Sequence, residues 1–137
     1  MYQLSTRLLW CSAFTGACIF LVGCQYQSNC REIAGYWSNH EGQFFRFEPN
    51  GKAFWLIKFG SEFDTFPIRY HYDCKQQPAI LDLDGFHSGP LKGKTLFGIL
   101  EWTSDSSFRF EGESGTSSEV RPETFNPEQT QRFYREK

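Results

Sequence analysis

From about residue 33 to the C-terminus, apolar and polar side chains alternate with the period of two that belongs to a half-buried β-strand. The longest run is Phe66-Pro67-Ile68-Arg69-Tyr70-His71-Tyr72-Asp73, in which residues 66, 68, 70 and 72 are apolar or aromatic and residues 69, 71 and 73 are polar. Pro67 has no amide proton to give a ladder, so this strand starts at an edge or a bulge. Shorter runs repeat the pattern: Phe45 and Phe47 flank Arg46, Trp55, Ile57 and Phe59 share one face, Leu81 and Leu83 oppose Asp82 and Asp84, and Phe108 and Phe110 flank Arg109. Pro49-Asn50-Gly51 is a hairpin turn signal. Other breaks fall at Gly60 to Asp64, Lys75 to Pro78, Gly85 to Lys94, Thr103 to Ser107 and Gly112 to Ser118, and the stretch Glu113 to Glu119 is predicted as a polar surface loop. No segment has a helical period. About seven or eight short strands separated by turns predict an all-β domain, a sandwich or a small antiparallel up-and-down barrel, and closure would remove the edges that Phe-rich strands otherwise present.

The first residues follow a different rule. One positive charge, Arg7, precedes a run from Leu8 to Val22 without any charged residue. This is the profile of a signal peptide. A membrane-spanning helix needs about 20 apolar residues, and this run is shorter and is diluted by Ser12, Thr15 and Gly16. It ends in Leu21-Val22-Gly23-Cys24, which resembles the lipobox of bacterial lipoproteins: two aliphatic residues, a small residue, then the cysteine whose thiol takes up diacylglycerol. The resemblance implies cleavage between Gly23 and Cys24, acylation of the palmitate kind on Cys24, and a bacterial cell-envelope location. More than one acyl chain gives stable membrane attachment. Gln25 stands where, in proteins resembling enteric lipoproteins, an Asp would favour inner-membrane retention, so the outer membrane is favoured. An uncleaved anchor or an ordinary secretory signal are the alternatives. Residues 24–32 are then a lipidated tether and 33–137 the folded domain.

Cleavage also changes the cysteine arithmetic. Cys11 and Cys18 leave with the signal and Cys24 is lipidated, so two of the five cysteines, Cys30 and Cys74, remain as an even pair in an oxidising compartment. A disulfide between them would contribute on the order of 3 kcal/mol by restricting the unfolded chain. Two separate buried thiols are the other reading, because spacing alone does not establish proximity. Removing 23 of 137 residues leaves 114, enough for one domain with one core. With Arg7 gone, 13 basic side chains face 16 acidic ones, a formal charge of −3, and nothing in that balance attracts nucleic acid. Aromatic residues make up 18% of the chain and sit in the alternating runs, where they are core material first.

Candidate chemistry is sparse. Gly89-Pro90-Leu91-Lys92-Gly93-Lys94-Thr95 ends like a phosphate-binding loop, but three residues separate its glycines where four are required, and strand-like sequence follows where a helix must start. Asp82-Leu83-Asp84-Gly85 lacks the third carboxylate position and the bidentate Glu of a calcium loop, whose twelfth position here is Gly93. His40, His71 and His87 are too far apart for a local ligand pattern, and no metal or cofactor motif is present. His71 belongs to the polar row of its strand, which faces solvent or, in a barrel with a polar lumen, inward. No nucleophile elbow or other catalytic frame occurs. That weighs against an enzyme, although groups from distant strands could still converge.

Gly35-Tyr36-Trp37 is similar to the Gly-x-Trp start of lipocalin-like barrels, whose Trp caps one end of the core. Asp82 through Ile99, with Gly89-Pro90, Lys92 to Thr95 and Gly98-Ile99, followed by Arg121-Pro122-Glu123-Thr124-Phe125, resembles the small lipocalin-like domain of unknown function found in planctomycete proteins. The resemblance implies a compact antiparallel barrel over about residues 33 to 136, with Gly89 to Lys94 as a structural turn and a last strand at Thr130 to Arg135, and it transfers no catalytic residue. Two functions follow as expectations. One is a protein-interaction lipoprotein acting through the loops Gly85 to Lys94 and Glu113 to Glu119, with His87, Lys92, Lys94 and Glu113 as candidate contacts. The other is a carrier of a small apolar ligand or lipid in the barrel mouth.

Overall fold

The computed structural model of the chain describes residues 30–137, where eight antiparallel strands close into an up-and-down barrel. The strands are β1 Gly35–Ser38, β2 Gln43–Phe47, β3 Lys52–Phe59, β4 Glu62–Asp73, β5 Ala79–Asp84, β6 Thr95–Ser104, β7 Ser107–Gly115 and β8 Gln131–Arg135. Each pairs with its neighbours in sequence, and β8 returns to β1 through Trp37 opposite Arg135 and Ser38 opposite Tyr134. No strand edge is left open, which disposes of the sandwich alternative. The signal segment 1–23, the Gly23-Cys24 junction, the lipidation candidate Cys24 and the start of the tether lie outside the described residues.

Register puts the alternating apolar residues on one face throughout. Phe45 pairs with both Trp37 and Trp55, and Trp55 with Phe66. Tyr70 faces Leu83, Leu83 faces Leu96, and Phe108 faces Phe133. The buried set is correspondingly aromatic: Trp37, Phe45, Phe47, Phe108, Phe110 and Phe133 join Leu81, Leu83 and Leu100 in one cluster. Two inward glycines are paired directly across the β6–β7 ladder, Gly98 with Gly112. A Cβ on Gly98 would collide with the Phe110 ring and stand 2.6 Å from the Leu81 carbonyl oxygen. The glycine is there to admit the ring.

Two predicted breaks are shorter than the polarity of the sequence suggests. The turn expected over Gly60 to Asp64 is only Gly60-Ser61, and β4 already begins at Glu62. Residues 61–65 are exposed on both faces, as are Phe59 and Phe63, so this hairpin end extends past the core and has no buried side to impose alternation. Likewise Glu113 to Glu119 is not a loop throughout. Strand β7 runs to Gly115, held by Glu113 opposite Phe97 and Gly115 opposite Thr95, and a short 3-10 helix follows at Ser118–Val120. Backbone pairing overrides the polar composition, because the outer side of β7 tolerates polar residues.

The long connection between β7 and β8 lies against the outside of the barrel. Arg121 makes a bidentate ion pair with Asp82, donates to the Gly98 carbonyl at 2.9 Å and lies 5.5 Å from the centre of the Phe97 ring. Phe125 stacks on the Arg109 guanidinium at 4.1 Å, and that arginine is in turn bound to Glu101. Buried Glu111 accepts from the Asn126 amide at 2.6 Å and the Thr130 hydroxyl at 2.7 Å. Arg121 and Asp82, both largely buried, satisfy each other, as their burial demands.

Candidate functional site

An up-and-down barrel has two ends, and here they differ. Alternating strand directions collect the β2–β3, β4–β5 and β6–β7 turns at one end, together with both the entry to β1 and the exit from β8. That end is closed. Ile33 is buried beneath the incoming chain and its carbonyl accepts from Trp37 Nε1 at 2.8 Å. Arg135 donates to the Glu32 and Ala34 carbonyls and lays its guanidinium 4.2 Å from the centre of the Trp37 ring. Trp37 packs edge-on to Trp102 and Phe108, with ring centres 5.6 and 4.8 Å apart. The aromatic plug leaves no room for a ligand at this end.

The segment entering β1 is fastened at the same closed end. Cys30 and Cys74 form a disulfide across a sequence separation of 44, with Cα atoms 5.5 Å apart. Arg31 pairs with Asp105 in the β6–β7 turn at 3.0 Å and donates to the carbonyl of Ser104, the last residue of β6, at 2.8 Å. Ordered packing therefore reaches back at least to Cys30.

The opposite end opens into an apolar cup of about 230 Å³. Phe45, Trp55, Leu83, Leu96 and Phe110 form its walls from inside the barrel, and Gly112, which has no side chain to fill the space, widens it. The β5–β6 loop Gly85 to Lys94 adds Phe86 and Leu91 from above. Three glutamines, Gln43, Gln129 and Gln131, supply its polar groups, and no ionisable side chain lines it. Trp55 Nε1 is buried and has no hydrogen-bond partner, which is uncommon for an indole N–H in a folded protein.

The loop that lines the cup is also the one carrying three of the four interaction candidates. His87, Lys92 and Lys94 are exposed on it, while its Phe86 and Leu91 turn to the lumen. Positive backbone angles at Gly85, Gly89 and Gly93 and hydrogen bonds from the Gly93 amide to the Phe86 carbonyl and from the Lys94 amide to the Leu91 carbonyl fold it into an ordered turn. Glu113 is not with them: it is exposed on the outer side of β7. His71, exposed in the outer row of β4, is outside the lumen, and Asp82 and Asp84 are engaged by Arg121 and Arg69. Among the described residues no group of His, Cys, Asp and Glu side chains is gathered as a metal site would need.

The glutamines were missed at the level of sequence, although one signal for them was present. Gln43 stands two residues before Phe45, and Gln131 two before Phe133, so alternation alone places both amides on the inward face. Gln129 reaches the cup only through the turn in which its amide donates to the Asn126 carbonyl at 3.0 Å, and no pattern reports that. Fold and site together define a closed eight-stranded antiparallel barrel with a sealed, disulfide-bound end and an apolar cup at the other. Compared with known proteins, the chain matches no family model, no curated sequence and no solved structure.

Proposed function

We propose that the protein is a lipid-anchored envelope protein of bacteria whose barrel is a non-enzymatic binding module, taking a small apolar ligand in the cup at its open end. The observation that carries the reading is the placement of an apolar hollow inside the barrel, walled by inward-facing strand residues, at the end opposite the chain's entry. Lipid on Cys24 would lie six residues before the disulfide at Cys30, a reach of at most about 20 Å. The closed end then faces the bilayer and the cup faces away from it, open to the envelope space. Uncharged, mostly apolar walls with a few polar groups are what a small-molecule site requires, and a barrel of eight strands is just wide enough to hold one small ligand.

Interaction with an envelope protein is the second reading, and the exposed polar side chains His87, Lys92 and Lys94 on the cup loop favour it. The two readings share a surface, since a partner docking there would sense whether Phe86 and Leu91 have moved. The lipid anchor is tested by Cys24→Ala: loss of metabolic palmitate labelling and of membrane fractionation is expected, and unchanged labelling would refute the anchor.

A further inference from the structure

We infer that the cup selects a small neutral amphiphile, a single ring or short chain ending in an amide or hydroxyl group, and discriminates against carboxylates and against two-chain lipids. The inference rests on the cup being a ligand site and names what that site takes.

Size is the first constraint. An apolar cavity of about 150 Å³ holds benzene, so 230 Å³ accommodates on the order of ten non-hydrogen atoms. That is one chain of about eight carbons with its head, far short of a diacyl lipid. The aromatic packing of Trp37, Trp102, Phe108 and Phe133 closes the lumen below it, so the cup does not continue into a longer channel.

Charge is the second constraint. Gln43, Gln129 and Gln131 are the polar side chains of the lining, and each primary amide offers both donors and an acceptor. A ligand amide or hydroxyl has both as well and can be matched in either sense. A carboxylate only accepts, so it can use the glutamine N–H groups but leaves their carbonyl oxygens unmatched, and its full charge would be desolvated with no cation among the lining groups. Lys92 and Lys94 do not supply one, because they are exposed on the solvent side of the cup loop, where their field is screened.

Octanamide and octanoate have the same number of non-hydrogen atoms and differ in charge at neutral pH, so they separate the two constraints. The full chain is held in phospholipid nanodiscs, free ligand is corrected for partition into empty discs, and the Trp55 indole N–H signal is followed by NMR. Octanamide should bind about tenfold or more tighter than octanoate, and Gln131→Arg, which places a cation at the cup, should reverse the order. Equal binding of the two, or tighter octanoate, in the unaltered protein would overturn the neutral-ligand assignment and leave the cup itself standing. Failure of both ligands to shift the Trp55 signal would overturn the cup as a ligand site and the assignment with it. The comparison in the unaltered chain decides the matter even if Gln131→Arg does not fold.

Discussion

Tyr72 shows how single side chains are committed in this barrel. Its hydroxyl accepts from Trp102 Nε1 at 3.0 Å, and burial pushes its pKa above the ordinary value of 10.0, with the Trp102 hydrogen bond opposing the shift. Tyr36 and Tyr70 are raised for the same leading reason, burial. A phenol whose folded pKa exceeds its unfolded one keeps its proton longer in the native state. Its stabilising contribution is therefore complete below the unfolded value near 10 and disappears as pH rises through the folded value. Thermal midpoints measured from pH 9 to 11.5 should fall above pH 10, and the fall should be shallower in Tyr72→Phe than in the unaltered chain. Identical slopes would show that this phenol is not protected as described.

At the scale of elements, the β6–β7 ladder is the most constrained. Gly98 and Gly112 face each other across it, and the space over Gly98 is occupied by the Phe110 ring. Its glycine is needed for room and not for a left-handed backbone, since Gly98 is not among the positive-φ positions. Gly98→Ala should cost about 1–3 kcal/mol through overpacking, read as a lower urea midpoint with an unchanged slope; an unaffected midpoint would mean that Phe110 can move aside freely. The strands themselves were largely legible in the sequence. Phe66 to Asp73, Leu81 to Asp84 and Phe108 to Phe110 fall in strands with the expected faces because one side of each is buried and the other is wet. Legibility failed where that contrast vanishes. The far end of the β3–β4 hairpin is exposed on both faces, and Phe59, predicted to share the buried face of Trp55 and Ile57, is exposed at its tip. The outer end of β7 reads as loop because its residues are polar, yet it is paired to Thr95.

On the scale of the whole molecule, the asymmetry of the two ends is the main finding. Pattern reading anticipates seven or eight strands in a sandwich or small barrel, and the resemblance of Gly35-Tyr36-Trp37 implies a Trp at one end; Trp37 is buried at the closed end by Ile33, Arg135 and two aromatic neighbours. It also leaves Cys30 and Cys74 as a pair, which the structure joins. What it does not provide is the hollow. A cavity is a difference between the volume that strands enclose and the volume that side chains fill, and residues from six separated segments set that difference: Gln43, Trp55, Leu83, Leu96, Gly112 and Gln131 belong to six strands. Of the interaction candidates, His87, Lys92 and Lys94 stay together because one loop carries them, whereas Glu113 is separated by being drawn into a strand.

An open cup can be filled from outside, and a closed end cannot. Xenon has no polar group and enters dry apolar cavities, so it tests the void apart from any preference for head group. With the full chain in nanodiscs under increasing xenon pressure, the Trp55 indole signal and the Leu83 and Leu96 methyl signals should shift saturably, while those of Trp37, Trp102 and Leu100 at the sealed end and in the packed core should not. Absence of a saturable shift at Trp55, Leu83 and Leu96, or equal shifts at both ends, would contradict a barrel that is solid at its disulfide-bound end and open at the other.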